Sequence, residues 1–222
     1  MDFYHVLNRG VDKRKTFLDS GDYARFIHDM WEFNEVNNAP HNLERRMLKQ
    51  NLEMGDVRRH PLVRVHFFCL MPNHYHLLVS PIDDDPENLS SFMKKLGGGY
   101  AKYFNEKYER SGALWQGKYK KVLVERDAHF LYLPYYIHFN ALDLEYPDWR
   151  EQRIAYPKHA EDYLGTYRWS SHLDYLGEKN FPSVTDREFF LDFFGGSAGY
   201  AKKIRSMLRD LSLEEIDGVV LE

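Results

Sequence analysis

Cysteine is almost absent from this chain, since Cys69 is the only one among 222 residues. A single thiol cannot form an intramolecular disulfide, which excludes a small fold held together by disulfides. No apolar run approaches the ~18 residues that a membrane span requires, and the N-terminal sequence MDFYHVLNRG lacks the basic and apolar regions of a signal peptide. The sequence therefore predicts a soluble cytoplasmic protein without a membrane partner.

An excess of charge of one sign is also lacking, since the formal net charge is −4. This balance argues weakly against a nucleic-acid-binding protein, but the distribution of charge matters more than its sum. Residues 91–126 hold seven Lys and two Arg against three Glu, a net charge of +6, whereas residues 208–222 hold one Arg against five acidic residues. Any one pair of these lysines is explained by a solvated surface. The whole block, with its interleaved aromatic residues, suits a single nucleic-acid strand, because phosphates bind cations and bases stack on rings.

Residues 64–80, read as RVHFFCLMPNHYHLLVS, predict a β-hairpin, since two runs rich in β-branched and aromatic residues flank a Pro-Asn turn. Alternate residues of a strand point to the same face, so His74 and His76 leave the sheet together, and Tyr75 and Leu77 point to the other face. Two imidazoles on one strand make half of a metal site. The spacing alone favours a simpler interpretation, two partly buried histidines held by hydrogen bonds.

Hydrophobic periodicity and turn residues predict the order β-α-β-β-α-β-α over residues 1–141. The predicted elements outside the hairpin are strands at 3–9 and 114–125 and helices at 19–34, 89–108 and 128–141. We therefore expect an α+β fold class, with an antiparallel sheet of four to five strands and helices packed on one side of it. Residues 37–60 are interpreted as a surface insertion in this core, and residues 142–222 as a partly helical C-terminal extension with helices at 186–194 and 200–211.

The last predicted helix of the core carries Tyr132, Tyr136 and Asn140 at positions i, i+4 and i+8, so these side chains share one face. Tyr135 points away from that face. Pro134 lies inside the helix, where a proline removes a backbone hydrogen bond, and it predicts a kink or a restart of the helix.

Five stretches carry a family resemblance. They are HVLNRG near the start, CLMPNHYHLLV at 69–79, YAKYFNEKYERSGALWQGKYKKVLVE at 100–125, YIHFN at 136–140 and YRWSSHLDYLG at 167–177. Together they resemble the single-tyrosine HUH transposases, and within these the branch of REP-associated tyrosine transposases. The resemblance covers most of the chain to about residue 195. It implies an RRM-like or ferredoxin-like core.

The resemblance also implies the site residues. In that family two histidines hold a divalent metal, Mg²⁺ or Mn²⁺, over the scissile phosphate, and by position these are His74 and His76. A tyrosine on the helix after the last core strand attacks the phosphate, and a carboxamide four residues later completes the metal shell. These positions are Tyr136 and Asn140. Two imidazoles and an amide oxygen form a fairly hard donor set, which is consistent with these metals.

A protein of this kind cleaves and rejoins single-stranded DNA at hairpin-forming repeats through a 5′-phosphotyrosine intermediate, as a monomer or a homodimer. The residues expected to bind that DNA are Arg9, Lys94, Lys95, Lys102, Trp115, Lys118, Lys120, Lys121 and Arg126. Two alternatives stay open: a hairpin-binding protein that has lost catalysis, and a metal-dependent phosphodiesterase in which Tyr136 is structural.

Two positions depart from the family pattern. Asn140 is followed by Ala141, where the family often has proline, and Tyr136 is preceded by Tyr135, where an arginine is common. The second departure removes one cation beside the expected nucleophile.

Overall fold

The structure is a computed structural model that describes residues 1–37, 59–125, 127–150 and 154–209. These residues form one antiparallel sheet of four strands, ordered β2-β3-β1-β4. The strands are β1 at Tyr4–Arg9, β2 at Val63–Met71, β3 at His74–Pro81 and β4 at Lys120–Leu123. The predicted hairpin is confirmed, with β2 and β3 joined at Pro72 and Asn73 and paired from Met71 and His74 outward.

The helices complete a βαββαβ core followed by further helices. They are α1 at Ser20–Glu32, α2 at Pro86–Lys107, α3 at Asp127–Phe139, α4 at Pro157–Thr166, α5 at His172–Tyr175, α6 at Glu188–Phe194 and α7 at Gly196–Arg209. This order and the sheet topology are those of a ferredoxin-like fold, which confirms the predicted α+β class. Among the described helices, none combines the length and apolar character needed to cross a membrane.

Local sequence explains where the first two helices begin. The Asp19 carboxylate accepts a hydrogen bond from the backbone N–H of Asp22 at 3.0 Å, and the Asp22 carboxylate accepts from that of Asp19 at 3.3 Å. This reciprocal pair is a capping box, which satisfies backbone donors that the first helical turn leaves unpaired. Asp85 caps α2 by accepting from the backbone N–H of Glu87, and Pro86 occupies the first helical position, which needs no N–H donor.

Helices cover both faces of the sheet, so the prediction that they pack on one side is wrong. Tyr75 and Leu77 of β3 point into a core shared with α1 and α2, as the alternation predicted. On the opposite face, Cys69 and Leu78 pack in a second core with α3 and the helices that follow it. The β3 strand is buried along its whole length because both of its faces are covered.

The structure differs from two further predictions, on the length of the fourth strand and on the helix that contains Pro134. The fourth strand is shorter than predicted, since the ladder with β1 runs only from Lys120 to Leu123, and Trp115 forms an isolated bridge with Gly10. The predicted restart at Pro134 is wrong, because α3 continues through the proline and ends at Phe139. A 3-10 helix at Asn140–Leu144 follows directly.

The two predicted C-terminal helices are confirmed as α6 and α7, and α4 and α5 were not predicted. A buried hydrogen-bond network attaches them to α3. The hydroxyl of Tyr200 on α7 lies 2.6 Å from Nδ1 of His138 and 2.7 Å from Nδ1 of His172, and Nε2 of His138 lies 2.7 Å from the hydroxyl of Ser171. Burial of these groups is tolerated because each has a partner. The network therefore couples the position of α3 to that of the C-terminal helices.

Candidate functional site

The two histidines of β3 lie side by side on the face of the sheet that α3 covers. Their ring centroids are 5.1 Å apart, and the rings are nearly perpendicular. In the ladder with β1, His74 lies opposite Arg9 and His76 opposite Leu7. His74 is 7% exposed and His76 is 1% exposed. The pair is therefore held on a rigid strand at the end of the sheet nearest the hairpin turn.

Each histidine has a hydrogen-bond partner on one ring nitrogen. Nδ1 of His74 lies 2.6 Å from Oδ1 of Asn73, and Nδ1 of His76 lies 2.9 Å from Nε2 of His5. When Nδ1 donates, Nε2 keeps its lone pair for a metal, and this partnering also orients the ring. Neither Asn73 nor His5 was among the predicted site residues. The signal for His5 was its position on β1, where it shares a sheet face with Arg9.

Both rings are uncharged at neutral pH. Burial, with the nearby cations Arg9 and Arg150 as smaller causes, lowers the pKa of His74 to about 3. Burial also holds the pKa of His76 well below its ordinary value, with the neighbouring histidines as a second cause. A neutral imidazole is the form that binds a metal. The electrostatics of the pair therefore favour ligation.

Tyr136 is the tyrosine of α3 that meets the histidines. Its ring stands edge-on to His76, with centroids 5.9 Å apart, and 6.2 Å from His5. Tyr135 instead stacks against Tyr200 of α7, with centroids 5.9 Å apart. The two neighbouring tyrosines thus point to different surroundings, as the helical period predicted. Tyr136 is only 1% exposed.

Asn140 is the first residue of the 3-10 helix after α3, and it contacts an arginine that was not among the predicted site residues. Its amide nitrogen donates to the backbone carbonyl of Tyr136 at 2.9 Å, and its Oδ1 accepts from Nη2 of Arg150 at 2.7 Å. Nη1 of Arg150 forms an ion pair with Asp143. The guanidinium carbon lies 5.7 Å from the centroid of the Tyr136 ring. No spacing rule connects residue 150 to the tyrosine helix, so no sequence signal pointed to it.

The surroundings of Arg150 keep it charged. Burial lowers the pKa of its guanidinium, but the interactions with Asp143 and with Tyr136 outweigh that effect, and the net pKa is raised. A permanent cation therefore lies between the Asn140 carboxamide and the Tyr136 ring.

The three expected ligands, His74, His76 and Asn140, fit the divalent metal that the resemblance implies only in part. Among the described residues, no group of three or more His, Cys, Asp or Glu side chains is arranged to hold a metal ion. The two neutral imidazoles fit a divalent ion whose remaining positions are taken by water or phosphate oxygens. The Asn140 oxygen does not fit in the same way, because Arg150 already donates to it. A dication at that oxygen would lie next to the guanidinium.

Two of the predicted DNA-binding residues lie on the histidine face. Arg9 is directly opposite His74, and Lys120 is opposite Leu7, which is in turn opposite His76. Lys118 and Lys121 are exposed nearby on the chain, and Lys121 alternates to the other face, where its Nζ lies 5.2 Å from the ring of Tyr4.

The other predicted DNA-binding residues lie elsewhere. Lys94, Lys95 and Lys102 belong to α2, on the opposite face of the sheet. Lys95 donates to the backbone carbonyl of Glu35 at 2.7 Å, and the indole of Trp115 donates to that of Gly97 at 2.9 Å. Arg126 lies outside the described residues. The basic block is therefore divided between two faces of the sheet, and its role in DNA binding stays a prediction.

Comparison with known proteins finds a family model that matches part of this chain. Residues 44–140 match the family model described as IS200-like transposase. A solved structure described as a REP-associated tyrosine transposase bound to a REP hairpin has 12% sequence identity to this chain, covers 84% of this chain and 88% of its own, and gives a TM-score of 0.43. No curated protein matches. Residues 44–140, which include both β3 histidines, Tyr136 and Asn140, are therefore similar to the IS200-like transposases.

Proposed function

We propose that this protein is a metal-dependent tyrosine transposase, which cleaves and rejoins single-stranded DNA at hairpin-forming repeats. One observation carries the proposal. The α3 residue Tyr136 meets His76 of the β3 pair at 5.9 Å, inside the region that matches a transposase family. The choice of hairpin DNA as substrate rests on the motif resemblance of residues 69–79 and 136–140 to REP-associated tyrosine transposases.

The proposed chemistry follows from the groups present. The Tyr136 hydroxyl attacks the phosphorus and loses its proton, the bond to the 3′-oxygen breaks, and that oxygen leaves as a 3′-hydroxyl. The 5′ side stays attached as a phosphotyrosine, so a second 3′-hydroxyl can displace the tyrosine without another energy source. When bound at His74 and His76, Mg²⁺ or Mn²⁺ offsets negative charge that develops on the phosphate oxygens. Burial of the Tyr136 ring keeps bulk water from competing for the covalent intermediate.

A covalent-trapping experiment tests this function. Wild-type protein would be incubated with labelled single-stranded hairpin DNA, with Mg²⁺, Mn²⁺ or a chelator, and the products separated under denaturing conditions. We expect a metal-dependent protein–DNA adduct that is absent from Tyr136→Phe. Tyr135→Phe is the matched control, because that neighbour packs against Tyr200 and should leave the adduct intact. Cleavage without an adduct would instead identify a phosphodiesterase.

A second candidate is a hairpin-binding protein of the same family without catalysis. Two observations favour it. Tyr136 is only 1% exposed, and the Asn140 oxygen accepts a hydrogen bond from Arg150, so neither group is open to a substrate or a metal in this arrangement. That protein would bind hairpin DNA equally well with a chelator or with metal. It would also bind unchanged as Tyr136→Phe and give no adduct.

A further inference from the structure

Arg150 is held beside Tyr136 by contacts on several sides. Its Nη1 pairs with Asp143, its Nη2 donates to Oδ1 of Asn140 at 2.7 Å, and its guanidinium carbon lies 4.5 Å from the centroid of the Trp149 ring. Side-chain freedom is costly to restrict, so a guanidinium that is already fixed loses less entropy when it binds a ligand. The contacts therefore present Arg150 in one orientation.

The helix that carries the tyrosine cannot supply such a cation. The α3 sequence DAHFLYLPYYIHF contains neither Lys nor Arg. Positive charge beside Tyr136 must therefore come from other parts of the fold, and Arg150 is 14 positions further along the chain, with its guanidinium carbon 5.7 Å from the ring centroid.

Arg150 also lies closer to solvent than the tyrosine does. Its side chain is 20% exposed, against 1% for Tyr136. A guanidinium has five N–H donors in a planar fork, and the fork matches the oxygens of a phosphate. A phosphodiester that approaches the tyrosine from solvent would meet this fork first.

We propose that Arg150 is a further catalytic residue, which binds the phosphate that Tyr136 attacks. Asn140 and Asp143 are positioning residues that hold the guanidinium through the Nη2 and Nη1 bonds. This inference rests on the proposed function. It assigns Asn140 a role toward Arg150 that is separate from metal ligation.

The first test measures DNA binding without cleavage. In a Tyr136→Phe background, the affinity for a labelled hairpin would be measured over a range of salt concentrations, with and without Arg150→Gln. Loss of one phosphate contact should lower affinity several-fold and reduce the slope of log affinity against log salt by about 1. Arg168→Gln is the matched control, because Arg168 is an exposed arginine stacked on Trp169 on the opposite face of the sheet. Its slope should not change.

The second test measures the rate of adduct formation. Arg150→Ala should slow it on the order of 100-fold, the usual effect of removing one donor to a developing anion. Arg150→Lys keeps the charge but not the planar fork of donors, and its rate should lie between the rates of the wild type and of Arg150→Ala. Added guanidinium ion should restore part of the Arg150→Ala rate at concentrations that leave the wild-type rate unchanged. A merely structural arginine would show no such rescue.

The outcomes separate the two proposals. A wild-type protein that forms no Tyr136-linked adduct overturns the proposed function, and the salt slope still decides whether Arg150 contacts phosphate. An unchanged slope for Arg150→Gln overturns the inference, as does a slow Arg150→Ala variant that guanidinium does not rescue. Thermal unfolding of each variant shows whether it is folded before either measurement is made.

Discussion

The two faces of the sheet bury different kinds of side chain. On the α1 and α2 face, the β3 residues Tyr75, Leu77 and Val79 pack against aromatic and aliphatic side chains. On the α3 face, the same strand contributes His74 and His76 to a group of buried polar residues. Both faces are well covered, so exposure does not distinguish them. The chemistry of their buried groups does.

Burying polar groups is costly unless they are paired, and apolar residues of similar size would stabilise the α3 face more. Its histidines are paired with one another, as in the 2.9 Å contact of His5 and His76, or with hydroxyl groups such as that of Tyr200. On the other face, the buried carboxylate of Asp22 serves a structural purpose, since it caps α1 and pairs with Lys107. The comparison teaches that the α3 face gives up stability for polar groups near Tyr136.

The largest difference between the two faces should be seen when adjacent β3 residues that point to opposite faces are substituted. His76→Ala should lower adduct formation about 10³-fold, because a lost metal ligand removes several kcal/mol of transition-state stabilisation. Leu77→Ala should lower the free energy of unfolding by about 2–5 kcal/mol and leave the adduct rate per folded molecule near that of the wild type. Adduct kinetics and urea unfolding measure both. If His76→Ala loses stability alone, the histidine is structural.

Acid should destabilise the α3 face first. Burial lowers the pKa of His66 and of His172 to about 4, below the ordinary histidine value of 6.5. The unfolded chain therefore binds more protons between pH 6.5 and 4, and stability falls as pH decreases through this window. Each such histidine should contribute on the order of 2 kcal/mol of loss between pH 7 and pH 5.

The control for this pH effect is on the other face. Hydrogen bonds from Lys107 and from the backbone lower the pKa of Asp22 in spite of its burial, so its contribution is lost only below its unfolded value near 4. Urea unfolding at pH 7 and pH 5 measures the difference. His172→Gln, which keeps a polar side chain but cannot titrate here, should reduce the loss. An equal loss in that variant would contradict the assignment.

His5 should act on the metal through His76. Partners of metal-binding histidines typically change affinity by 10- to 100-fold when they are removed. We expect His5→Phe to weaken Mn²⁺ binding by this factor, measured by calorimetry on protein without DNA. His66→Phe is the control, because His66 is a buried histidine whose Nε2 lies 2.8 Å from the Ser80 hydroxyl, away from the β3 pair. Equal affinities for the two variants would exclude an orienting role for His5.

The smallest expected effect tests which face binds DNA. Lys120 lies on the histidine face, two strands from His76, and Lys102 is an exposed residue of α2 whose partner Glu106 is 3.8 Å away. Lys120→Gln should weaken hairpin binding a few-fold and reduce the salt slope by about 1, and Lys102→Gln should change neither. The reverse result would place the DNA on the α2 face.

Much of the fold follows from short-range patterns. Alternation along β3 predicted that Tyr75 and Leu77 face away from the histidines, and the capping residues Asp19 and Asp85 account for the starts of two helices. The side of the sheet that α3 occupies was not predictable in this way. Its sequence is apolar almost all around, so its period does not indicate which face it covers.

The candidate site likewise combines relations that local sequence predicts with contacts that only the tertiary structure makes. The sequence by itself determined that His74 and His76 share a face and that Tyr136 and Asn140 share another, because these relations depend only on a period of 2 or 3.6 residues. Only the tertiary structure brought His5 to His76, 71 positions away, and Arg150 to Tyr136, 14 positions away. Such contacts depend on how the elements pack and how the chain returns after α3, and local periodicity carries no information about either.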